Sequence, residues 1–122
     1  MSEYERHNFG RWGERVAASY LESQGLSIVE RGFRCRFGEI DIIAQNLEVL
    51  VFCEVKTRRC ETFGTPQEAV SWSKQRRLVK TAGWYLNQRL WDGDLRFDVI
   101  AILAPVGEEP RVEWIQDAFV WE

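Results

Sequence analysis

Hydrophobic residues recur at helical spacing near the start of the chain, between residues 8 and 24. With successive residues placed about 100° apart, one side of this segment is apolar. The apolar residues are Trp12, Val16, Ala17, Tyr20 and Leu21. The pattern predicts an amphipathic helix that ends at Gly25. On the same wheel Glu14 lies beside Leu21, so its side chain borders the predicted core.

The following segment changes to the two-residue alternation that is typical of β-strands. It predicts three strands, with breaks near Gly38 and at the polar pair Gln45-Asn46. The predicted strands are residues 27–34, 39–44 and 49–57. Because the second and third strands are joined by a short turn, we expect them to form an antiparallel hairpin.

Capping residues predict a second helix after this hairpin. An N-cap threonine, a proline at the first helical position and a capping-box glutamate occur in order at Thr65, Pro66 and Glu68. We expect the helix to continue to about Arg89, and a break near Ser71 or Ser73 stays open. Two further strand patterns, RFDVIAILA and RVEWI, follow. The predicted order α-β-β-β-α-β-β indicates an α/β fold with a sheet flanked by helices.

Four ionisable residues interrupt the hydrophobic hairpin, namely Glu39, Asp41, Glu54 and Lys56. Side chains alternate between the faces of a strand, so the first two share one face of their strand and the last two share one face of theirs. A register in which paired residue numbers have an odd sum places all four on the same side. We expect a sum of 95, which opposes Asp41 to Glu54 and Glu39 to Lys56.

The opposed carboxylates of Asp41 and Glu54 would repel each other unless a cation lay between them. Mg²⁺ prefers a few carboxylate oxygens together with water and phosphate oxygens. The pattern therefore indicates a metal site, in which Lys56 would orient or activate a water and stabilise charge on a phosphate. The alternative is a solvated sheet face with ordinary cross-strand ion pairs, and the pattern alone does not separate the two.

Composition narrows the class of protein. The chain has 122 residues, of which 45% are hydrophobic and 29% are charged, and we expect residues 1–122 to form a single domain. No apolar run resembles a signal peptide or a membrane span, so we expect a cytoplasmic protein. The three cysteines have no C-x-x-C spacing and are expected to be reduced thiols. The single histidine, His7, falls in a predicted frayed segment, so hydrolysis would require a metal.

The second predicted helix is basic, although the net charge of the chain is −3. Its five basic residues, uninterrupted by any acid, are Lys74, Arg76, Arg77, Lys80 and Arg89. On a helical wheel Arg76, Arg77 and Lys80 cluster with Trp84 on a face opposite the core. This face fits a nucleic-acid backbone, with Trp84 stacking on an unpaired base and Arg58 extending the positive charge. The alternative is a solvated helix face.

Asp41 followed by Glu54 and Lys56 resembles the D-(x)n-E-x-K signature of the restriction-endonuclease-like PD-(D/E)XK superfamily. The strings GEIDIIA and LVFCEVKTR, with GERVAASYLESQG upstream, more specifically resemble the YraN family of uncharacterised bacterial proteins over most of the chain. The resemblance implies a restriction-endonuclease-like core with a mixed central sheet. It also implies a metal-dependent nuclease similar to archaeal Holliday junction resolvases.

In those resolvases an acid from a helix joins the acids of the strands, and Glu14 matches that position. Because Glu14 also borders the apolar stripe of its helix, we expect its carboxylate to point toward Asp41 rather than into bulk solvent. Under this hypothesis Asp41 and Glu54, supported by Glu14, hold Mg²⁺ or Mn²⁺, while Lys56 positions the nucleophile and pairs with Glu39. The expected contacts to nucleic acid are Lys74, Arg76, Arg77, Lys80, Trp84 and Arg58.

The leading hypothesis is an endonuclease that acts on branched or damaged DNA and recognises its structure rather than its sequence. Two alternatives belong to other functional classes. The first is a catalytically silent nucleic-acid-binding or adaptor module that keeps the nuclease fold. The second is an interaction protein in which some of the six tryptophans lie at a homodimer interface.

Overall fold

The computed structural model describes residues 1–60, 65, 68 and 70–120. Its elements follow the predicted order α-β-β-β-α-β-β. Their bounds are α1 Glu3–Ser23, β1 Ser27–Cys35, β2 Gly38–Gln45, β3 Val49–Arg58, α2 Trp72–Leu86, β4 Asp94–Leu103 and β5 Arg111–Phe119. The α/β class is therefore confirmed.

Helix α1 begins earlier than the apolar periodicity predicted. The Ser2 hydroxyl accepts a hydrogen bond from the backbone N–H of Glu5 at 3.1 Å, and the Glu5 carboxylate accepts one from the Ser2 N–H at 3.3 Å. This reciprocal capping box stabilises an additional helical segment that has no apolar stripe. His7 consequently lies within the helix, and the expectation of a frayed segment there was wrong.

Helix α2 has Ser71 as its N-cap, and the Ser71 hydroxyl accepts the backbone N–H of Lys74 at 3.2 Å. The helix therefore begins at the break that the sequence left open. At the earlier predicted start, the Thr65 hydroxyl accepts the N–H of Glu68 at 3.3 Å, as a capping threonine does. The other residues of that predicted start lie outside the described part of the chain.

The five strands form one mixed sheet in the order β1-β2-β3-β4-β5. Strands β1, β2 and β3 are antiparallel neighbours, β4 is parallel to β3, and β5 is antiparallel to β4. In the β2–β3 ladder Ile42 pairs with Cys53 and Gln45 pairs with Leu50. The predicted register, in which paired numbers sum to 95, is thus confirmed.

Each face of the sheet carries its own hydrophobic cluster. Helix α1 packs on one face, where Leu21 meets Val51 and Cys53 of β3. Helix α2 packs on the other face, where Leu78 meets Phe52 of β3. Alternate residues of β3 thus serve opposite clusters, as strand geometry requires. No helix within the described residues is long and apolar enough to cross a membrane.

A buried carboxylate of β4, that of Asp98, holds this strand to β5. The Asp98 side chain accepts two hydrogen bonds from the Arg96 guanidinium, each at 2.9 Å. It also accepts the indole N–H of Trp114 at 2.8 Å and the backbone N–H of Asp117 at 2.9 Å. Because Asp98 is only 1% exposed, these donors replace the water that its charge would otherwise need.

Replacing Asp98 by Asn should lower the free energy of unfolding by about 2 kcal/mol, because an amide NH₂ cannot accept a bond from Arg96. Chemical denaturation monitored by circular dichroism measures this change. Asp92→Asn removes the same charge at an exposed position and should change the stability by less than about 0.5 kcal/mol. Equal effects of the two substitutions would contradict a stabilising role for the Asp98 network.

Candidate active site

Two acids converge where the β2–β3 ladder ends. The last pair of the ladder is Ile42–Cys53, and Asp41 and Glu54 follow immediately beyond it. The Asp41 carboxylate accepts the backbone N–H of Val55 at 2.9 Å and forms a side-chain hydrogen bond with Glu54. The sequence therefore correctly placed the two acids on one face of the hairpin.

Two carboxyl groups in contact cannot both be ionised without a strong penalty. Burial raises the pKa of Asp41 to about 8, and the charge of Glu54 acts in the same direction. The N–H of Val55 opposes these effects without cancelling them. In the absence of another cation, the pair therefore retains a proton at neutral pH.

The retained proton makes stability depend on pH. Without divalent cations, the free energy of unfolding should fall as the pH rises from about 4 to about 8. In this window the folded chain keeps a proton on Asp41, whereas in the unfolded chain its pKa returns to the ordinary value of 3.8. The stabilisation that this proton gives is complete below the pKa of Asp41 in the unfolded chain. It is lost above the pKa of Asp41 in the folded chain.

Urea denaturation in EDTA at a series of pH values measures this dependence. Asp41→Asn should remove this component of the pH profile, because the amide does not titrate. A variant profile that parallels the wild type would show that another group carries the proton.

Two ammonium groups approach Glu54, which is only 5% exposed. The Nζ of Lys56 lies 3.6 Å from Glu54 Oε2, and the Nζ of Lys74 contacts the same oxygen. Burial lowers the pKa of Lys56, and the neighbouring Lys74 lowers it further. Burial is the largest single effect on Lys74 and lowers its pKa, but the hydrogen bond to Glu54 and the negative charges of Glu54 and Asp41 together outweigh burial and raise the pKa. Lys74 therefore holds its proton more tightly than an ordinary lysine, whereas Lys56 loses its proton more easily.

The position of Lys74 was not predicted from the sequence, which placed it among outward contacts to nucleic acid. The structure instead makes it the counter-ion of Glu54. The sequence does contain a signal for this position, because Lys74 precedes the buried Leu78 by one helical turn and shares its face.

Glu14 reaches the site because α1 approaches β3 closely at the preceding residue. A Cβ atom at Gly13 would overlap the hydroxyl of Thr57, so a larger residue would push the helix away. Glu14 lines the same cavity as Asp41 and Glu54, as the sequence predicted. Burial raises the pKa of Glu14, and negative charge on neighbouring acids adds to this effect.

The cavity that contains these groups has a volume of about 610 Å³. The acidic and basic residues that line it are Glu14, Arg36, Glu39, Asp41, Glu54, Lys56, Lys74 and Arg77. Acids and cations thus line one open space.

The predicted ion pair between Glu39 and Lys56 was wrong. Glu39 lies beyond the last β2–β3 pair, at a point where β2 pairs with β1 and faces Arg34. The Nε of Arg34 lies 3.4 Å from Glu39 Oε2. Glu39 still lines the cavity, and its charge raises the pKa of Glu14.

The basic face of α2 was only partly predicted. Arg76, Arg77 and Lys80 are exposed, as expected for contacts to phosphates. Trp84 is half-buried, because it packs edge-on against Phe37 in the β1–β2 turn with a centroid distance of 6.0 Å. Trp84 is thus less exposed than expected, and its role in stacking on a base stays a prediction.

Arg58 does not line the cavity that contains Asp41 and Glu54. It lines a neighbouring cavity of about 570 Å³ at the end of β3. Lys56 lines both cavities and connects the two spaces. Arg58 is thus near the rim, as predicted, but belongs to a separate part of the surface.

The carboxylates of the cavity do not form a complete set of metal ligands by themselves. Within the described residues, no group of three or more His, Cys, Asp or Glu side chains is arranged to hold a metal ion. The available donors are the touching carboxyls of Asp41 and Glu54, with Glu14 in the same cavity. A divalent cation could replace the shared proton and complete its coordination with water. The residues fit such an open site rather than a closed protein cage.

A family model described as uncharacterised protein family UPF0102 matches residues 13–102. The chain belongs to this family. UPF0102 is the YraN family that the strand motifs resembled, and the match includes the second half of α1, all of α2 and all the acids of the cavity.

Proteins that carry the UPF0102 name align with nearly the whole chain. A relative from Syntrophotalea carbinolica is 48% identical over 117 residues, which are 95% of this chain and 94% of the relative. One from Geotalea daltonii is 50% identical over 111 residues, covering 90% and 87%. One from Rhodococcus opacus is 47% identical over 117 residues, covering 93% and 98%.

Proposed function

We propose that this UPF0102 protein is a cytoplasmic, divalent-metal-dependent endonuclease that hydrolyses phosphodiester bonds of branched or damaged DNA. The observation that carries the proposal is the contact between the Asp41 and Glu54 carboxyls beside the ammonium groups of Lys56 and Lys74. Such a pair can exchange its proton for a metal, and the adjacent cations complement the phosphate to be cleaved.

Asp41 and Glu54 would hold Mg²⁺ or Mn²⁺, and Glu14 would support the ion directly or through water. When bound, the cation would polarise the phosphate and lower the pKa of an attacking water. Asp41 is fixed by the N–H of Val55, so its orientation does not depend on the ion. Preorganisation of this kind limits the rearrangement that catalysis requires.

The two lysines have different proposed roles. Lys56, whose pKa is lowered, would orient the attacking water and accept its proton at Nζ. Lys74, whose pKa is raised, would remain charged, neutralise Glu54 and face the phosphate oxygens. The difference arises because Lys74 interacts more strongly with Glu54 than Lys56 does.

The exposed basic residues of α2 would hold the DNA backbone next to this cavity. Arg77 lines the cavity itself, while Arg76 and Lys80 extend the positive surface along the helix. Contacts of this kind bind phosphates without reading the base sequence. They support recognition of DNA structure rather than sequence.

Changing Arg76 and Lys80 together to Ala should weaken DNA binding across sequences and reduce the slope of log affinity against log salt by about 1 to 2. Each side chain that contacts a phosphate contributes about 0.9 to this slope on duplex DNA. Fluorescence anisotropy at several salt concentrations measures it. Arg15→Ala removes an exposed charge from α1, on the other face of the sheet, and should leave the slope unchanged.

The proposed activity is tested by incubating purified protein with labelled branched and duplex DNA, with Mg²⁺, Mn²⁺ or EDTA. Metal-dependent cleavage by the wild type, absent in Asp41→Asn, is the expected result. Salt-dependent binding without cleavage would favour the adaptor alternative. Absence of both would favour the interaction protein, and light scattering on the same sample would test the homodimer.

A further inference from the structure

We propose that Arg36, Phe37 and Trp84, here called the rim cluster, bind an unpaired nucleobase next to the candidate active site. This inference rests on the proposed nuclease function and adds to it a substrate class. The favoured DNA would contain a single-stranded nucleotide beside the bond to be cleaved, as in a fork, flap or bubble.

The rim cluster combines two aromatic rings with one cation. Phe37 and Trp84 meet edge-on, with ring centroids 6.0 Å apart and an interplanar angle of 67°. The Arg36 guanidinium lies 5.0 Å from the centroid of Phe37 and 5.4 Å from that of Trp84. Arg36 is exposed and both rings are only partly buried, so a ligand can reach them.

The β1–β2 turn is held firmly beside the cavity. Cys35 pairs with Gly38 across the turn, and the backbone N–H of Phe37 donates to Cys35 Sγ at 3.4 Å. Gly38 has a φ of 150° and approaches α2 so closely that a Cβ atom would lie 3.3 Å from the hydroxyl of Thr81. The position of the turn relative to the acids is therefore fixed by packing against α2.

Arg36 and Phe37 line the same cavity as Asp41 and Glu54. A phosphate near these acids would thus share one open space with Arg36 and Phe37, and Trp84 packs against Phe37 at its edge. Stacking on aromatic rings tolerates every base, and a nearby arginine adds a cation–π contribution. A base within a duplex already has both faces stacked, so only an unpaired base can use this surface. Lys74 and Arg77 lie in the same cavity and would contact the adjoining phosphates.

A similar arrangement elsewhere on the molecule provides a matched control. On α1, Phe9 stacks on Trp12 at 5.8 Å, and the Arg59 guanidinium lies 4.1 Å from the Phe9 ring centroid. Phe9, Trp12 and Arg59 line a separate cavity. Glu14, Asp41 and Glu54 do not line that cavity. Removing Phe9 therefore removes the same ring from a similar environment without changing the candidate active site.

The experiment places 2-aminopurine at the first unpaired position of forked DNA and uses an Asp41→Asn background to prevent cleavage. The Asp41→Asn protein should stack on this base analogue and quench its fluorescence. It should also bind the fork more tightly than a matched duplex. Adding Phe37→Ala should remove the quenching and weaken binding to the fork about tenfold, with little change for the duplex. Adding Phe9→Ala should leave both results unchanged.

A second variant, Arg36→Gln, tests the cluster at an exposed position where loss of folding is not expected. It should reduce the quenching and selectively weaken fork binding, and thermal melting should confirm that both variants fold. If both rim variants match their parent, the inference is wrong, while metal-dependent cleavage by the wild type would still support the nuclease. If the wild type neither binds nor cleaves any of these DNAs, both proposals fail.

Discussion

Asp41→Asn should lower the rate of DNA cleavage about a thousandfold while leaving DNA affinity unchanged or slightly higher. The substitution removes the charge through which Asp41 would hold a divalent cation. Without a cation the wild-type pair already keeps a proton, and with a cation bound the substitution removes a negative charge near the phosphates, so binding should not suffer in either case. Rate and affinity therefore change independently in this variant.

The fold should tolerate Asp41→Asn, because the amide oxygen can still accept the N–H of Val55. Single-turnover cleavage and anisotropy on the same branched substrate measure the two properties separately. Glu48→Gln removes an equal charge from the turn at the other end of the hairpin and should cleave like the wild type. Wild-type rates for Asp41→Asn would remove Asp41 from the proposed mechanism.

The hairpin was predictable because its geometry is local. Alternation shows which residues of a strand share a face, and the short turn at Leu47-Glu48 restricts the register. These two local constraints are enough to place Asp41 and Glu54 side by side, because neither depends on contacts between distant elements. The position of Glu14 required more, namely its place at the edge of the apolar stripe and the resemblance to the resolvases.

The surroundings of α2 could not be predicted in the same way. Helical periodicity shows that Arg77, Lys80 and Trp84 share a side, but it does not show what lies opposite that side. The β1–β2 turn packs there and partly covers Trp84. The contact of Lys74 with Glu54 was missed for a similar reason, because Glu54 belongs to a different element. Contacts between elements depend on how the helix docks on the sheet.

Docking of α2 also explains how the site can persist without a metal. Lys74 contacts Glu54, and the proton on the acid pair removes a second charge, so the buried carboxyls are largely neutralised. Binding a divalent cation would displace the proton and compete with Lys74 for the Glu54 oxygen. Metal affinity should therefore rise with pH until the pair has lost its proton. Lys56 and Lys74 should therefore be substituted one at a time.

Lys56→Met should lower the single-turnover rate by at least about a hundredfold, with DNA affinity reduced no more than a few-fold. Burial and the nearby charge of Lys74 lower the pKa of Lys56, which favours the neutral amine that a proton acceptor requires. Lys56→Arg keeps the positive charge but cannot lose its proton at accessible pH, so it should be almost as slow as Lys56→Met.

The pH dependence of the same rate separates proton transfer from simple charge. In the wild type, cleavage should rise with pH as Lys56 loses its proton, and it should level off above the lowered pKa. This rise should be absent from both Lys56 variants at saturating metal, where the titration of Asp41 is suppressed by the bound cation. Recovery of the full rate by Lys56→Arg would instead mean that Lys56 acts only through its charge, since arginine offers no accessible lone pair for the proton of water.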